Sequence, residues 1–420
     1  MAAARLIRRP PRRARGVAIA AAILACATLG ACTRTRPVNA PSPPLPASWA
    51  GIVAAARGQT VTIAMWRGDP AVNAYLQRVI APALQRSRDI RLRFVPAQGE
   101  QIVSALMTEI EAHRRPSGYD IVWINGETFY QLREIHALFG PFTARLPNAR
   151  FIDWRNPYIS RDFQQPIAGY ECPWGNAQLL MITDSRRVPR PPTDPASLAA
   201  WIHRHPGRFT FDTSFTGLSF LKSLMYAFAA NPAQLQGPFD EARYLRLRDA
   251  VFAWIRSVRP DLWRHGATFP RSTAQLDQLF ADGEVDFTMS FTDGEVDHRV
   301  ATGAFPPTAE GFSLRSGMIQ NSHYLGIVAR SAHVAAAMVV INELISPWAQ
   351  WRKLDPAVWG DGTVLDVGRL PPRWRARFAA AARRTHAPSR AALQAFARPE
   401  PSASLMIALS RDFRRDVLEH

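Results

Sequence analysis

The stretch Gly169-Tyr170-Glu171-Cys172-Pro173-Trp174-Gly175-Asn176-Ala177-Gln178 packs two aromatic rings, one carboxylate, two glycines, a proline and two amides into ten residues. Apolar strand-like runs flank it, and Leu179 to Thr183 continues as one of them. It reads as an interior segment that crosses between two lobes and presents Tyr170, Glu171 and Trp174 to a cleft. Ligand sites favour such places, an apolar wall with a few placed polar groups at a domain interface. A buried strand whose aromatics are only core fits the same residues. The cleft reading predicts that Trp174→Ala abolishes ligand binding while the free protein melts almost as before.

Upstream, three short apolar runs, Val61–Met65, Ile90–Val95 and Tyr119–Ile124, are each followed by helical spacing, at Val72–Leu84, Glu100–Ala112 and Thr128–Phe139. Strand, turn and helix in repetition predict an α/β fold with a mostly parallel sheet. In such sheets ligands sit beyond the carboxyl ends of the strands, where Trp66, Arg67, Asp69, Asn125 and Glu127 fall. Downstream, Arg208–Phe211 reads as a strand, and Asp212–Gly217 opens a helix over 218–230 with Ser214 or Thr216 as cap. The free amides at that end suit an anionic group, although Ser and Thr also cap helices that bind nothing. Val285–Ser290 reads as a strand followed by Asp293, and Met318–Ala329 as a strand carrying Asn321, His323 and Tyr324. From Arg373 onward an arginine-rich helical pattern closes the fold.

The 420 residues are 47% apolar and 20% charged, enough for two domains with sizeable cores. Net charge is +17, supplied almost wholly by arginine, because Lys222 and Lys353 are the only lysines. No short stretch concentrates that charge among aromatics, which argues against nucleic-acid binding. Arg5, Arg8, Arg9, Arg12, Arg13 and Arg15 precede an apolar segment, Val17–Ala31, that falls short of the about 20 residues of a membrane span. This reads as a signal peptide over residues 1–31. Its end, Leu29-Gly30-Ala31-Cys32, resembles the lipobox of bacterial lipoproteins, which implies lipidation at Cys32. Cleavage there would remove six arginines and no acids, lowering the net charge from +17 to +11. Residues 32–57 read as a Pro-rich tether holding a soluble domain near a membrane. Cys172 is the only cysteine of the body, so neither an internal disulfide nor a cysteine-rich metal site is expected there.

Signatures of catalysis are missing from the sequence: no Gly-x-Ser-x-Gly elbow, His-Glu-x-x-His, P-loop or Gly-x-Gly-x-x-Gly. His203-Arg-His205 reads as a helix end, and Cys172 as an inert thiol. The peptide Asp-Gly-Glu-Val-Asp, at 282–286 and 293–297, lacks the alternating ligands of a calcium loop. No catalytic residue, metal or cofactor is assigned.

Several segments are similar to the extracellular solute-binding proteins of bacterial ABC importers, and in particular to the YnjB-type binding proteins. They are Trp123-Ile-Asn-Gly-Glu127, Phe139-Gly-Pro-Phe142, Leu146-Pro-Asn148, the stretch 169–178, His205-Pro-Gly-Arg-Phe209 and Trp359-Gly-Asp361. The resemblance covers roughly residues 58–370 and is associated with thiamine transport. It implies a type II periplasmic-binding-protein clamp, each lobe a mostly parallel sheet flanked by helices. Lobe one would hold 58–168 plus 305–354, and lobe two 169–304 plus 355–420. The clamp would close by hinge bending over a small molecule and dock, as a monomer in the periplasm, on a permease driven by a separate ATPase. A thiamine-like ligand would stack on Trp66, Tyr170 and Trp174, balance its cation at Glu127 or Asp293, and meet Asn125, Asn321 and Tyr324. Ser214 and Thr216 would take a phosphate or hydroxyl. The alternatives are a polyamine or sugar receptor and, from other classes, an envelope lipoprotein hydrolase or a structural lipoprotein.

Overall fold

A computed structural model describes residues 44–381 and 384–419. The leader, Cys32 and the tether as far as residue 43 lie outside the described residues. Among the described residues no helix is long and apolar enough to cross a membrane.

The fold begins with a parallel unit. Strands β1 (Thr60–Met65), β2 (Arg91–Pro96) and β3 (Ile121–Ile124) pair in parallel around β1. The inner two are buried almost throughout, whereas edge strand β2 alternates, with Arg91 and Arg93 exposed. That alternation is what an edge with one wet face demands. Each strand feeds a helix. Asp69 caps the first, its carboxylate accepting from Ala71 N–H at 2.7 Å with Pro70 at the opening turn, and this helix runs to Arg88 through a π-helical turn at Tyr75–Ile80. Gly99–Glu111 and Glu127–Glu134 follow β2 and β3. The second ends five residues before the expected Phe139, because Leu138–Phe139 leaves as a short strand, β4.

A hairpin of β5 (Arg161–Asp162) and β6 (Gln165–Pro166) leads into β7 (Glu171–Gln178), the stretch read first from the sequence, and all eight of its residues are buried. A smaller sheet has β8 (Leu180–Asp184) between β9 (Phe287–Ser290) and β10 (Ala309–Phe312). Its pairs are antiparallel, where a mostly parallel sheet was expected. The expected strand Arg208–Phe211 joins no sheet. Its Arg208 and Phe209 carbonyls are taken by the amides of Asp286 and Trp263.

The organising element is β11 (Met318–Val328), eleven buried residues long. Its carboxyl half pairs antiparallel with β3 and β4, and its amino half pairs in parallel with β12 (Ala397–Arg398). Over Gln320–Gly326 it pairs antiparallel with β7. Two strands thus run side by side from one hydrophobic core to the other. Leu325 and Ile327 lie in a cluster with Ile63, Met338 and Ile341, while Met318 and Ile319 lie in a cluster with Phe209, Phe220, Leu224 and Leu409.

Three expectations are corrected by this packing. Helix Trp49–Ala56, capped by Ser48, falls inside the segment assigned to the tether, and its Ile52 and Ala56 are buried in the first cluster. Amphipathic burial outweighs the Pro-rich composition just before it. Trp359, Val364, Leu365 and Leu370, assigned to lobe two, pack in the first cluster, whereas Leu314 and Met318, assigned to lobe one, pack in the second. A strand that crosses between cores cannot be allotted whole to either.

Candidate ligand-binding cleft

Loops at the carboxyl ends of β1 and β3 place Trp66, Asn125 and Glu127 half-buried at one edge of the large sheet. Trp66 stands edge-on to Trp123 at 6.4 Å. Trp123 in turn lies 5.1 Å from Trp174 and 5.2 Å from His323. Behind these rings Trp359 packs 5.2 Å from Trp174 and 6.0 Å from His323, nearly parallel to the imidazole. The result is a graded aromatic block. Trp66 and Trp123 are partly exposed, His323 is 9% exposed, and Trp174 and Trp359 are each 1% exposed.

Backbone irregularity builds this block. Across β7 and β11, Gly175 faces His323 and Pro173 faces Tyr324, so Trp174 is an extra residue, a β-bulge. Bulges re-aim side chains and occur beside functional sites. Gly175 is required at its position, since a Cβ there would lie 2.4 Å from Asp361 Oδ2 and 2.5 Å from His323 Cδ2. The space it leaves holds a buried ion pair, Lys353 Nζ to Asp361 Oδ2 at 2.6 Å, with His323 Nε2 at 3.6 Å from Asp361 Oδ1. Burial works against the charge on Asp361, but the Lys353 ammonium and His323 hold its carboxyl below the usual range. Burial pushes the Lys353 ammonium down to about 8, with Asp361 opposing. Nε1 of Trp174 and Trp359, Nε2 of His323 and Oδ1 of Asp361 are buried without a hydrogen-bond partner among the described residues.

Next to these strand ends stand helix Phe215–Phe228 and the end of β9. Phe215 lies 5.4 Å from Phe291 and 6.3 Å from Phe163, and both Phe215 and Phe291 are half-buried. Charged groups on the two sides feel one another. The Asp69 carboxyl is raised to about 7 by burial and by Glu295, with Arg299 opposing. The Glu127 carboxyl is raised to about 7 by burial, with Lys222 opposing, and its Oε2 has no hydrogen-bond partner among the described residues. Lys222 and Glu295 belong to the helices Phe215–Phe228 and Glu295–Ala301, so the strand ends of the large sheet meet the elements around the small one.

Of the ten residues singled out in the sequence, Trp66, Asn125, Glu127, Ser214 and Thr216 stand at the strand ends or the helix start just described. Ser214 does not cap its helix; its hydroxyl donates to Asp212, which also accepts from the Ser214 and Gly217 amides. The other five are engaged by protein. Tyr170 lies under the Arg133 guanidinium, 3.4 Å from the ring centre, among the residues of another cluster. Trp174 is core. Asp293 is held below the usual carboxylate range: burial opposes its charge, but Arg384 at 2.5 Å and Arg390 at 3.0 Å outweigh it. Asn321 donates to Glu400 at 2.9 Å, and the buried Tyr324 hydroxyl donates to the carbonyls of Arg161 and Ile159. Sequence reasoning did not assign Trp123, His323, Phe215, Phe291 or the Lys353–Asp361 pair. Trp123 and Asp361 stood inside quoted motifs, and two lysines in so arginine-rich a chain were a usable signal. A cavity of about 660 Å³, lined by Thr143, Leu146, Arg150, Trp154, Ile167 and Gly169, opens elsewhere and holds none of these groups.

Two crossing strands, two cores and strand ends that meet a second subdomain make the geometry of a hinged binding protein. Residues 79–375 match the family described as bacterial extracellular solute-binding protein. The chain belongs to that family. Protein YnjB of Escherichia coli (strain K12) is 37% identical over 327 residues, covering 77% of this chain and 84% of YnjB. The solved TpPotD lipoprotein of Treponema pallidum superposes with a TM-score of 0.63 at 13% identity, over 86% of this chain and 100% of that one. AfuA of Actinobacillus pleuropneumoniae, solved with fructose-6-phosphate, gives 0.59 at 11% identity, over 86% and 98%. At such identities the likeness is one of fold, the two-lobed type II periplasmic binding protein. As a member of that family the protein is a solute-binding protein and not an enzyme.

Proposed function

We propose that this binding protein captures a small solute carrying an aromatic ring and a positive charge, thiamine or a related compound, and delivers it to a membrane permease coupled to an ATPase. The observation that carries this reading is the half-buried pair Trp66 and Trp123 together with a carboxylate just beyond the end of β3, Glu127, whose Oε2 has no hydrogen-bond partner among the described residues. A ring stacked on Trp66 with its cation beside Glu127 gains a cation–π contact of about 0.5–2 kcal/mol. Glu127 serves this role and Asp293 does not, because two arginines already neutralise Asp293. Phe215 and Phe291 would close on the ring's other face when the two lobes, with β11 shared between them, swing together. Lipidation at Cys32 would hold the protein, as a monomer, at the periplasmic face of a membrane.

Tryptophan-fluorescence titration of the purified protein with thiamine, choline and 1,4-diaminobutane tests the proposal. The expected result is saturable quenching by thiamine, weaker by about 2- to 30-fold in Trp66→Ala, and no saturation with the two ring-free cations. Equal responses to choline and thiamine would overturn the aromatic requirement. Mass spectrometry of any solute that co-purifies identifies the physiological ligand directly.

A further inference from the structure

The chain has 49 arginines and two lysines, and both lysines are wholly buried. Each pairs with a buried carboxylate next to the same face of β11. Lys353 meets Asp361 beside His323, and Lys222 meets Glu400, at 2.5 Å, beside Asn321. A compact ammonium fits where a planar guanidinium does not, so these two positions escape the arginine bias for a local reason.

Around Lys222 that reason has the form of a ligand site. Its ammonium lies 4.6 Å from the Phe163 ring centre and 4.9 Å from that of Phe215. Glu400 Oε2 accepts from it, and Asn321 fixes the other oxygen of that carboxylate. Two more carboxylates stand near the same charge, Glu127 and Asp162. Glu127 Oε2 and Asp162 Oδ1 are buried without a donor among the described residues. Aromatic faces plus carboxylates form the recognition chemistry for an alkylammonium. Here the chain supplies the ammonium itself, next to the half-buried Glu127 that the proposed function assigns to the solute's cation.

We propose that Lys222 is a specificity-determining residue. It occupies, from within the chain, a cage that would otherwise take the second ammonium of an alkyl diammonium, and so limits the cleft to solutes with one cationic group. This rests on the reading of Glu127 as the solute's cation partner. The emptied cage itself is tested without any aromatic solute.

Lys222→Ala removes three carbons and a nitrogen, the heavy atoms of n-propylammonium. Thermal unfolding of wild type and variant is followed with n-propylammonium, n-propanol and 1,4-diaminobutane. The expected result is that n-propylammonium raises the variant's Tm in a saturable way, that n-propanol does not, and that neither moves wild type. Diaminobutane, reaching both cage and Glu127, should bind the variant about tenfold more tightly than n-propylammonium does, and this preference should vanish in Lys222→Ala/Glu127→Gln. If the variant does not fold unaided, the readout becomes soluble yield on expression and refolding with n-propylammonium against n-propanol. Equal stabilisation or yield with both, or with neither, overturns the cage. Rescue by n-propylammonium without any preference for diaminobutane overturns the specificity role, and does so independently of the thiamine titration.

Discussion

Trp174→Ala removes an indole that is 1% exposed and rests against Trp123 at 5.1 Å and Trp359 at 5.2 Å. The Trp174 carbonyl accepts from Gln350 Nε2 at 2.7 Å, and the same amide donates to Leu344, which pins the backbone against collapse into the space. Truncating a buried tryptophan costs about 3–5 kcal/mol. Losing two aromatic contacts, each about 0.5–1.5 kcal/mol, places this site in the upper part of that range. A loss of about 4 kcal/mol corresponds to a fall in Tm of roughly 8–16 °C for a large domain. Trp66→Ala is the matched comparison. Its ring is half-buried with one aromatic neighbour, at 6.4 Å, and the expected cost is within about 1 kcal/mol. Urea unfolding followed by circular dichroism measures both, with the m-value checked for constancy. If Trp174→Ala unfolded within about 1 kcal/mol of wild type, the ring would line an open cleft in the free protein, and its assignment to the core would be refuted.

Lys353→Met leaves Asp361 charged and buried without its ammonium, so a loss of about 3–5 kcal/mol is expected in the same urea assay, mostly restored by adding Asp361→Asn; a double variant no better than the single would show that the pair is not the source of the loss. Glu127 and Asp69, both raised to about 7 in the folded protein, make folding more favourable below their unfolded values near 4, and that contribution is lost as pH rises toward 7. Glu127→Gln should therefore match wild-type stability near pH 4 and exceed it at pH 8, as read from Tm against pH. A cation bound at Glu127 favours its ionised form, so wild-type affinity for thiamine should fall as pH drops below about 7, by up to about tenfold per unit, and Glu127→Gln should flatten that slope; an unchanged slope would remove Glu127 from the site.

Much of this was legible before any coordinates. The three strand–turn–helix units were visible because β1 and β3 are short, β-branched and apolar, and because their helices carry apolar side chains at helical spacing. Trp66, Asn125 and Glu127 followed from the position of strand ends alone. Tyr170, Trp174, Asn321 and Tyr324 did not, because alternation in a strand tells which residues share a face and not whether that face meets solvent or another strand. The bulge at Trp174 adds a second difficulty, since one extra residue shifts the face of everything before it.

By itself, then, the sequence determined the architecture, a two-lobed α/β binding protein, since local periodicity and family motifs are properties of contiguous residues. Which carboxylates stay available to a solute was decided only by tertiary packing. Arg384 and Arg390 reach Asp293 from about ninety positions away, and Glu400 reaches Lys222 across 178. Whether a buried charge is already neutralised depends on partners that proximity along the chain does not reveal, and that decision leaves Glu127 with an oxygen to spare while Asp293 has none.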